Sequence, residues 1–217
     1  MTTSNEQRRM VSSRNTRGAH LAASWLNTKA ITPNHISLAS IAFAAISFFS
    51  FILIPVAYAY ASVLMLFAVA GMQLRLVCNL LDGIVAIEGG KKTASGELFN
   101  DAPDRVSDIL IFVGAGYSVT AVEWGISLGW LVAVFAMLTA YVRLLAMSMG
   151  QPANFQGPMA KQHRMAVLTA ACLLASIEYL LGSESYSILA GLLIIAIGSL
   201  ITIFRRLRHT YNIAENT

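Results

Sequence analysis

A chain of 217 residues that is 56% hydrophobic and only 12% charged, with a mean hydropathy of +0.64, is too apolar to be an ordinary soluble domain of this length. Its formal net charge of +4 is modest, and on so apolar a chain it fits membrane topology and attraction to anionic lipid better than a nucleic-acid surface. Membrane lipids are the expected surroundings and no nucleic-acid partner is expected.

Residues 1–31 form a basic juxtamembrane segment. They are polar, so an apolar signal-peptide core is not expected there. The arginines of this segment alternate with Ala19, Leu21, Ala22, Trp25 and Leu26, a spacing that suits either a short amphipathic helix on the membrane surface or a disordered tail.

Six apolar runs follow, and roughly 20 helical residues are enough to cross a hydrocarbon core. The first is Ile36 to Ile54; the second is Ala57 to Leu74, continuing past Arg75 towards Asp82. The third, Val106 to Val122, carries Asp108 at its start, and the fourth, Trp124 to Met149, contains Arg143. The fifth, Met165 to Leu181, is interrupted by Glu178, and the sixth is Ser185 to Phe204. The expected fold is all-α, an integral membrane domain of six transmembrane helices over residues 32–209 with a C-terminal tail at 210–217.

Lysine and arginine fall on one side of this plan. Arg8, Arg9, Arg14, Arg17 and Lys29 precede the first run, Lys91 and Lys92 follow the second, Lys161 and Arg164 follow the fourth, and Arg205, Arg206 and Arg208 follow the sixth. The connections near Pro55, Glu123 and Ser183–Glu184 carry none, so both termini are expected in the cytoplasm. Cys78 and Cys172 lie inside runs and suggest packing rather than a disulfide or a zinc site.

Acidic residues crowd the same side, where Asp82, Glu88, Glu97, Asp101, Asp104 and Asp108 lie within one stretch. Carboxylates at a bilayer edge are costly unless solvated, paired or bound to metal. Asn79 and Asp82 are three apart, and Asn100, Asp104 and Asp108 recur every fourth residue, so each set is expected on one helix face. Together they offer hard oxygen ligands for Mg²⁺, Mn²⁺ or Ca²⁺. Asp108 stands one turn, about 5.4 Å, beyond Asp104, and could complete a metal shell or act as base, or simply satisfy Arg105 or water. Pro103 is tolerated in a first turn but would kink a helix begun at Gly96.

Asn79-Leu-Leu-Asp82-Gly83-Ile-Val-Ala86-Ile87, eight residues, then Gly96-Glu-Leu-Phe-Asn100-Asp-Ala-Pro-Asp104 resembles the signature of the CDP-alcohol phosphotransferase family, D-x-x-D-G-x-x-A-R, eight residues, G-x-x-x-D-x-x-x-D. Every spacing is kept. Three positions depart: Asn79 and Asn100 replace the first and third aspartates, and Ile87 replaces the arginine. Thr32-Pro33-Asn34 looks like the start of the family's first helix.

The resemblance implies transfer of a phosphatidyl group from a CDP-linked lipid such as CDP-diacylglycerol to a small alcohol, with CMP released. A divalent metal, Mg²⁺ or Mn²⁺, would sit on Asn79, Asp82, Asn100 and Asp104, with Asp104 or Asp108 as the catalytic base. Asn34, Gly83, Thr93 and Gly96 would meet the CDP-lipid. Arg143, Lys161 and Arg164 are candidates for an acidic acceptor such as a sugar phosphate, since guanidinium suits phosphate. A homodimer in a bacterial inner membrane, its site facing the cytoplasm, is implied as well. A catalytically degenerate scaffold or a small ion transporter is the alternative, although a transporter places its acids near the bilayer midplane.

Overall fold

The computed structural model describes residues 17–29, 31–90 and 95–216, and every regular element among them is helical. Arg8, Arg9, Arg14, Lys91, Lys92 and Thr93 lie outside the described residues.

The juxtamembrane segment is helical from Arg17. Helix α1, Arg17–Thr28, packs on α3; Ala23 is buried, whereas Leu21 and Trp25, one turn apart, are exposed. Helix α2, Pro33–Leu53, starts as the Thr-Pro-Asn sequence suggests: the Thr32 hydroxyl accepts the His35 N–H at 3.3 Å, and Pro33 takes a first-turn position that needs no N–H. One turn of 3₁₀ helix at Tyr58–Tyr60 leads into α3, Ala61–Glu88. Helix α4 spans Gly96–Tyr117, α5 Gly125–Ser148, α6 Lys161–Leu180 and α7 Tyr186–Glu215. Gly150 and Gly182, shortly after α5 and α6, have φ of 80° and 72°, a left-handed conformation that glycine adopts without a Cβ penalty and that stops each helix.

The six long helices close into a ring in the order α2, α3, α6, α7, α5, α4. Small residues let neighbours approach: a Cβ on Gly116 would stand 2.8 Å from the Gly129 Cα, so α4 and α5 cross almost backbone to backbone. The Ser47 hydroxyl donates to the Ala68 carbonyl at 2.9 Å between α2 and α3, and Ser62 and Ser176 join α3 to α6 at 2.7 Å. Outward-facing Phe49, Phe67, Trp130, Ile197 and Phe204 are exposed, as suits contact with lipid. Both cysteines are free and buried, in keeping with a packing role.

Helices α2, α5 and α7, together with Tyr58–Ile87, are long and apolar enough to cross a membrane; at about 1.5 Å per residue, the 21 residues of α2 reach about 32 Å. The protein is therefore an integral membrane protein. Six spans were expected from the apolar runs, and length and composition mark four. Asp101, Asp104, Arg105 and Asp108 dilute α4, and Lys161, His163, Arg164 and Glu178 dilute α6. Helix α4 also begins at Gly96, ten residues before its apolar run, with Pro103 inside it. Helix α7 continues beyond 209 to Glu215.

Candidate active site

The end of α3, the start of α4, the end of α5 and the start of α6 meet at one end of the ring, because successive helices reverse direction. Position along each helix then decides which side chains converge. Asp82, nearly two turns from the end of α3, is buried and accepts a 2.7 Å hydrogen bond from Ser37 on α2. Asn79, one turn earlier, donates its amide to Asp104 Oδ1 on α4 at 2.6 Å. Lys161, the first residue of α6, donates its ammonium to Asp104 Oδ2. Arg75, a further turn back on α3, approaches Asp104 Oδ1 to 3.3 Å and donates to the Asp104 carbonyl at 3.2 Å.

Below this layer stands a second one. Asp108 accepts from Arg75 at 2.7 Å on one oxygen and from Arg164 at 3.1 Å on the other. All three side chains are at most 2% exposed. Arg164 also reaches the Thr139 hydroxyl at 3.0 Å and the Met159 carbonyl at 3.1 Å. Asp104 and Asp108 are four apart and Lys161 and Arg164 three apart, so the two helices present matched rungs, and Arg75 bridges both. A buried charge left without a partner is expensive, and here each has one.

Not every expected residue joins this centre. Asn100, one turn before Asp104 on the same face of α4, is exposed; Asp101 faces α5, bonded to Arg143 at 3.0 Å and to Arg105 at 3.1 Å. Arg105 therefore pairs with Asp101, leaving Asp108 to the two buried guanidiniums. Arg143 also lies over the Phe155 ring at 5.7 Å, a cation–π distance. Arg164, expected to meet an acceptor, is committed to Asp108 and buried. Asn34, Gly83 and Gly96 are partly exposed at the same end of the ring. His163 is exposed and its Nδ1 lies 2.8 Å from the Pro158 carbonyl.

Two participants were not apparent beforehand. Ser37 contacts Asp82 directly; its signal was the buried series Ser37, Ser40, Ser47 and Ser50 along one face of an otherwise apolar helix. Arg206 belongs to the basic run after the sixth apolar stretch, yet is buried and donates to the Thr139 and Gln156 carbonyls at 2.6 and 3.0 Å. It fastens α7 to α5 and to the connection before α6.

Residues 30–204 match the family model for CDP-alcohol phosphatidyltransferase. The chain belongs to this family. It is 28% identical over 143 residues to inner membrane protein YnbA of Escherichia coli (strain K12), covering 66% of this chain and 67% of that protein. It is 30% identical over 146 residues to an uncharacterized protein of Aquifex aeolicus (strain VF5), covering 66% and 68%. Its fold is similar to that of Mycobacterium tuberculosis phosphatidylinositol phosphate synthase. The TM-score is 0.75 to the structure with CDP-DAG bound, at 17% identity over 90% of this chain and 94% of that one. To the complex with manganese and citrate it is 0.74, at 17% identity over 89% and 88%. Family membership makes this chain a membrane-bound transferase of the phosphatidyl-transfer class.

The metal that the family uses can be tested against the donor set. Among the described residues, no three histidines, cysteines or acids converge on one point. Asp82 and Asp104 are the two acids at signature positions, Asn79 can offer its carbonyl oxygen, and Asn100 is exposed. Two carboxylates and an amide oxygen fit one hard divalent cation. They do not supply the negative charge that would offset two.

Proposed function

We propose that this protein transfers a phosphatidyl group from CDP-diacylglycerol to a small, acidic alcohol at the cytoplasmic edge of a bacterial inner membrane. The observation that carries the reading is the convergence of Asp82 and Asp104, the retained signature acids, with Lys161 and Arg75 at one end of the helix ring. A mycobacterial synthase of the same fold binds CDP-DAG, and a relative is named an inner membrane protein. In this reading α4 and α6 also span, placing both termini in the cytoplasm, and the protein works as a homodimer.

Asp82, Asp104 and the Asn79 carbonyl would hold one Mg²⁺ or Mn²⁺, which supplies Lewis-acid polarisation of the phosphate oxygens when bound. Asn34, Gly83 and Gly96 meet the CDP-lipid, and Gly83, beside Asp82, leaves the backbone open to close approach of the nucleotide. The acceptor hydroxyl oxygen bonds to the lipid-side phosphorus while the phosphorus–oxygen bond to CMP breaks. Asp104 Oδ2 takes the hydroxyl proton. Arg143, partly exposed beside Asp101, meets the acidic group of the acceptor. Asp108 serves as the fixed counter-ion that holds Arg75 and Arg164 in place, a positioning role in place of the base or metal ligand first considered.

A second reading is a catalytically degenerate scaffold, favoured by the Asn79 amide occupying an Asp104 oxygen. The two readings separate in one assay. Purified protein in detergent, given CDP-diacylglycerol, Mg²⁺ or Mn²⁺ and a panel of alcohols and sugar phosphates, is expected to release CMP only when an accepted alcohol is present. Absence of CMP with every alcohol and either metal would leave the scaffold.

A further inference from the structure

We propose that Lys161 takes the place of a second divalent cation, its ammonium neutralising the pyrophosphate of the bound nucleotide-lipid, so that the site holds a single metal ion per chain. This rests on the phosphatidyl-transfer reading above and names how this chain performs it with two fewer acids.

The argument begins with charge. Two divalent ions stand about 3.5–4 Å apart where they clamp a phosphoryl transfer, and their mutual repulsion must be offset by nearby anions. Asn79 and Asn100 remove two of the four signature carboxylates. Asp82 accepts from the Ser37 hydroxyl, whereas Asp104 and Asp108 already face cations. Asp104 receives Lys161 on Oδ2, with Arg75 3.3 Å from Oδ1, and Asp108 is shared by Arg75 and Arg164. Three carboxylates, Asp82, Asp104 and Asp108, thus stand among three cationic side chains. A second divalent ion would add two charges to a cluster that is neutral before the first one binds.

Geometry then selects Lys161 from the three cations. Arg75 and Arg164 are 0% and 2% exposed and are pinned between α3, α4 and α6 by Asp108. Lys161 is 26% exposed, paired with Asp104, and sits at the first position of α6, and a lysine carries its ammonium on a flexible four-carbon stem. An ammonium has three donors, so once turned from Asp104 towards the open end it can meet more than one phosphate oxygen. Turning to the phosphate also releases Asp104 Oδ2 to accept the acceptor's proton. The balance is unchanged: the acceptor oxygen–phosphorus bond forms, the bond to CMP breaks, the proton passes to Asp104, and Lys161 stays protonated beside the departing phosphate.

The test counts metal ions rather than turnover. Full-length protein in detergent is titrated with Mn²⁺ in the presence of CDP, with bound Mn²⁺ followed by electron paramagnetic resonance. One Mn²⁺ per chain without Mn–Mn coupling is expected for the parent, and two coupled ions for an Asn79→Asp, Asn100→Asp, Lys161→Gln variant. Two coupled ions in the parent, or none, would overturn the proposal, as would one ion in the triple variant. Calorimetric titration with CDP at saturating Mn²⁺ gives the second arm. Lys161→Gln is expected to weaken CDP binding about tenfold or more, while Lys161→Arg, which keeps the charge, stays within a few fold; equal affinity in all three proteins would sink the phosphate contact. Failure to release CMP with any alcohol would instead remove the transfer reading and leave the ion count standing.

Discussion

The amide nitrogen of Asn79 on α3 donates to Oδ1 of Asp104 on α4 at 2.6 Å, so a position where the family carries an acid here supplies a donor to its neighbouring acid. Two carboxylates at this spacing would repel unless a cation stood between them. The asparagine removes that requirement. It couples α3 to α4 directly, at the level where Lys161 closes the same carboxylate from α6.

In the proposed function, Asp82 and Asp104 are the acids on which transfer depends. Asp82→Asn and Asp104→Asn are each expected to lower CMP release by a factor of about 100 or more, the scale for loss of an acid–base or electrostatic group. Membrane insertion should be unaltered and thermal unfolding little changed. Activity within threefold of the parent in either variant would detach the site from these residues.

Asp108 is expected to behave differently. Its carboxylate lies between Arg75 and Arg164, and removing one partner of a buried ion pair costs about 3–5 kcal/mol. Asp108→Asn should therefore lower thermal stability strongly. An Asn79→Asp, Asn100→Asp background provides a mutant cycle: a structural counter-ion predicts equal losses of stability and activity with or without the restored acids. A much smaller loss of activity in the restored background would mark Asp108 as compensating for missing metal-binding charge.

Arg143 gives a prediction about substrate preference. It is held by Asp101 and Phe155 and faces the same end of the ring as the acids. Arg143→Gln is expected to raise KM for a phosphorylated acceptor about tenfold, as for a lost charge-assisted hydrogen bond, while KM for the CDP-lipid stays within twofold. Parallel changes in both constants would assign Arg143 to the fold alone.

How far the sequence leads differs from part to part. The fourth apolar run, Trp124 to Met149, lies within one residue of α5 at each end, because there the apolar stretch and the helix coincide. At α4 and α7 they do not. Hydropathy detects what lipid can cover, whereas backbone hydrogen bonding continues through polar sequence, adding ten residues before Val106 and eleven after Phe204. Asp82 and Asp104, which the signature spacing singles out, lie at one end of the fold, and Arg75, two turns before Asp82 on the same helix, pairs with Asp104 and Asp108. The assignment of Arg164 to Asp108 and the bond from Ser37 were not foreseeable. They depend on the ring order of the helices, which brings α6 beside α3 and α2 beside α4, and no local pattern encodes that order.

Orientation is tested independently of chemistry. In a cysteine-free background, an impermeant thiol reagent outside intact cells is expected to label a cysteine placed at Glu123 or Glu184 and not one at Lys91 or Lys161, since lysine and arginine mark the cytoplasmic side. The opposite labelling pattern would invert the protein and place its acids outside.

The most direct test of the central claim follows one oxygen atom. With the alcohol that best supports CMP release, ¹⁸O is introduced into the acceptor hydroxyl and the products are separated and weighed by mass spectrometry. Attack by that hydroxyl on the lipid-side phosphorus predicts that the label is retained in the bridging position of the new phospholipid and is absent from CMP. Label in CMP, or CMP formed with no labelled phospholipid, would contradict phosphatidyl transfer by this protein.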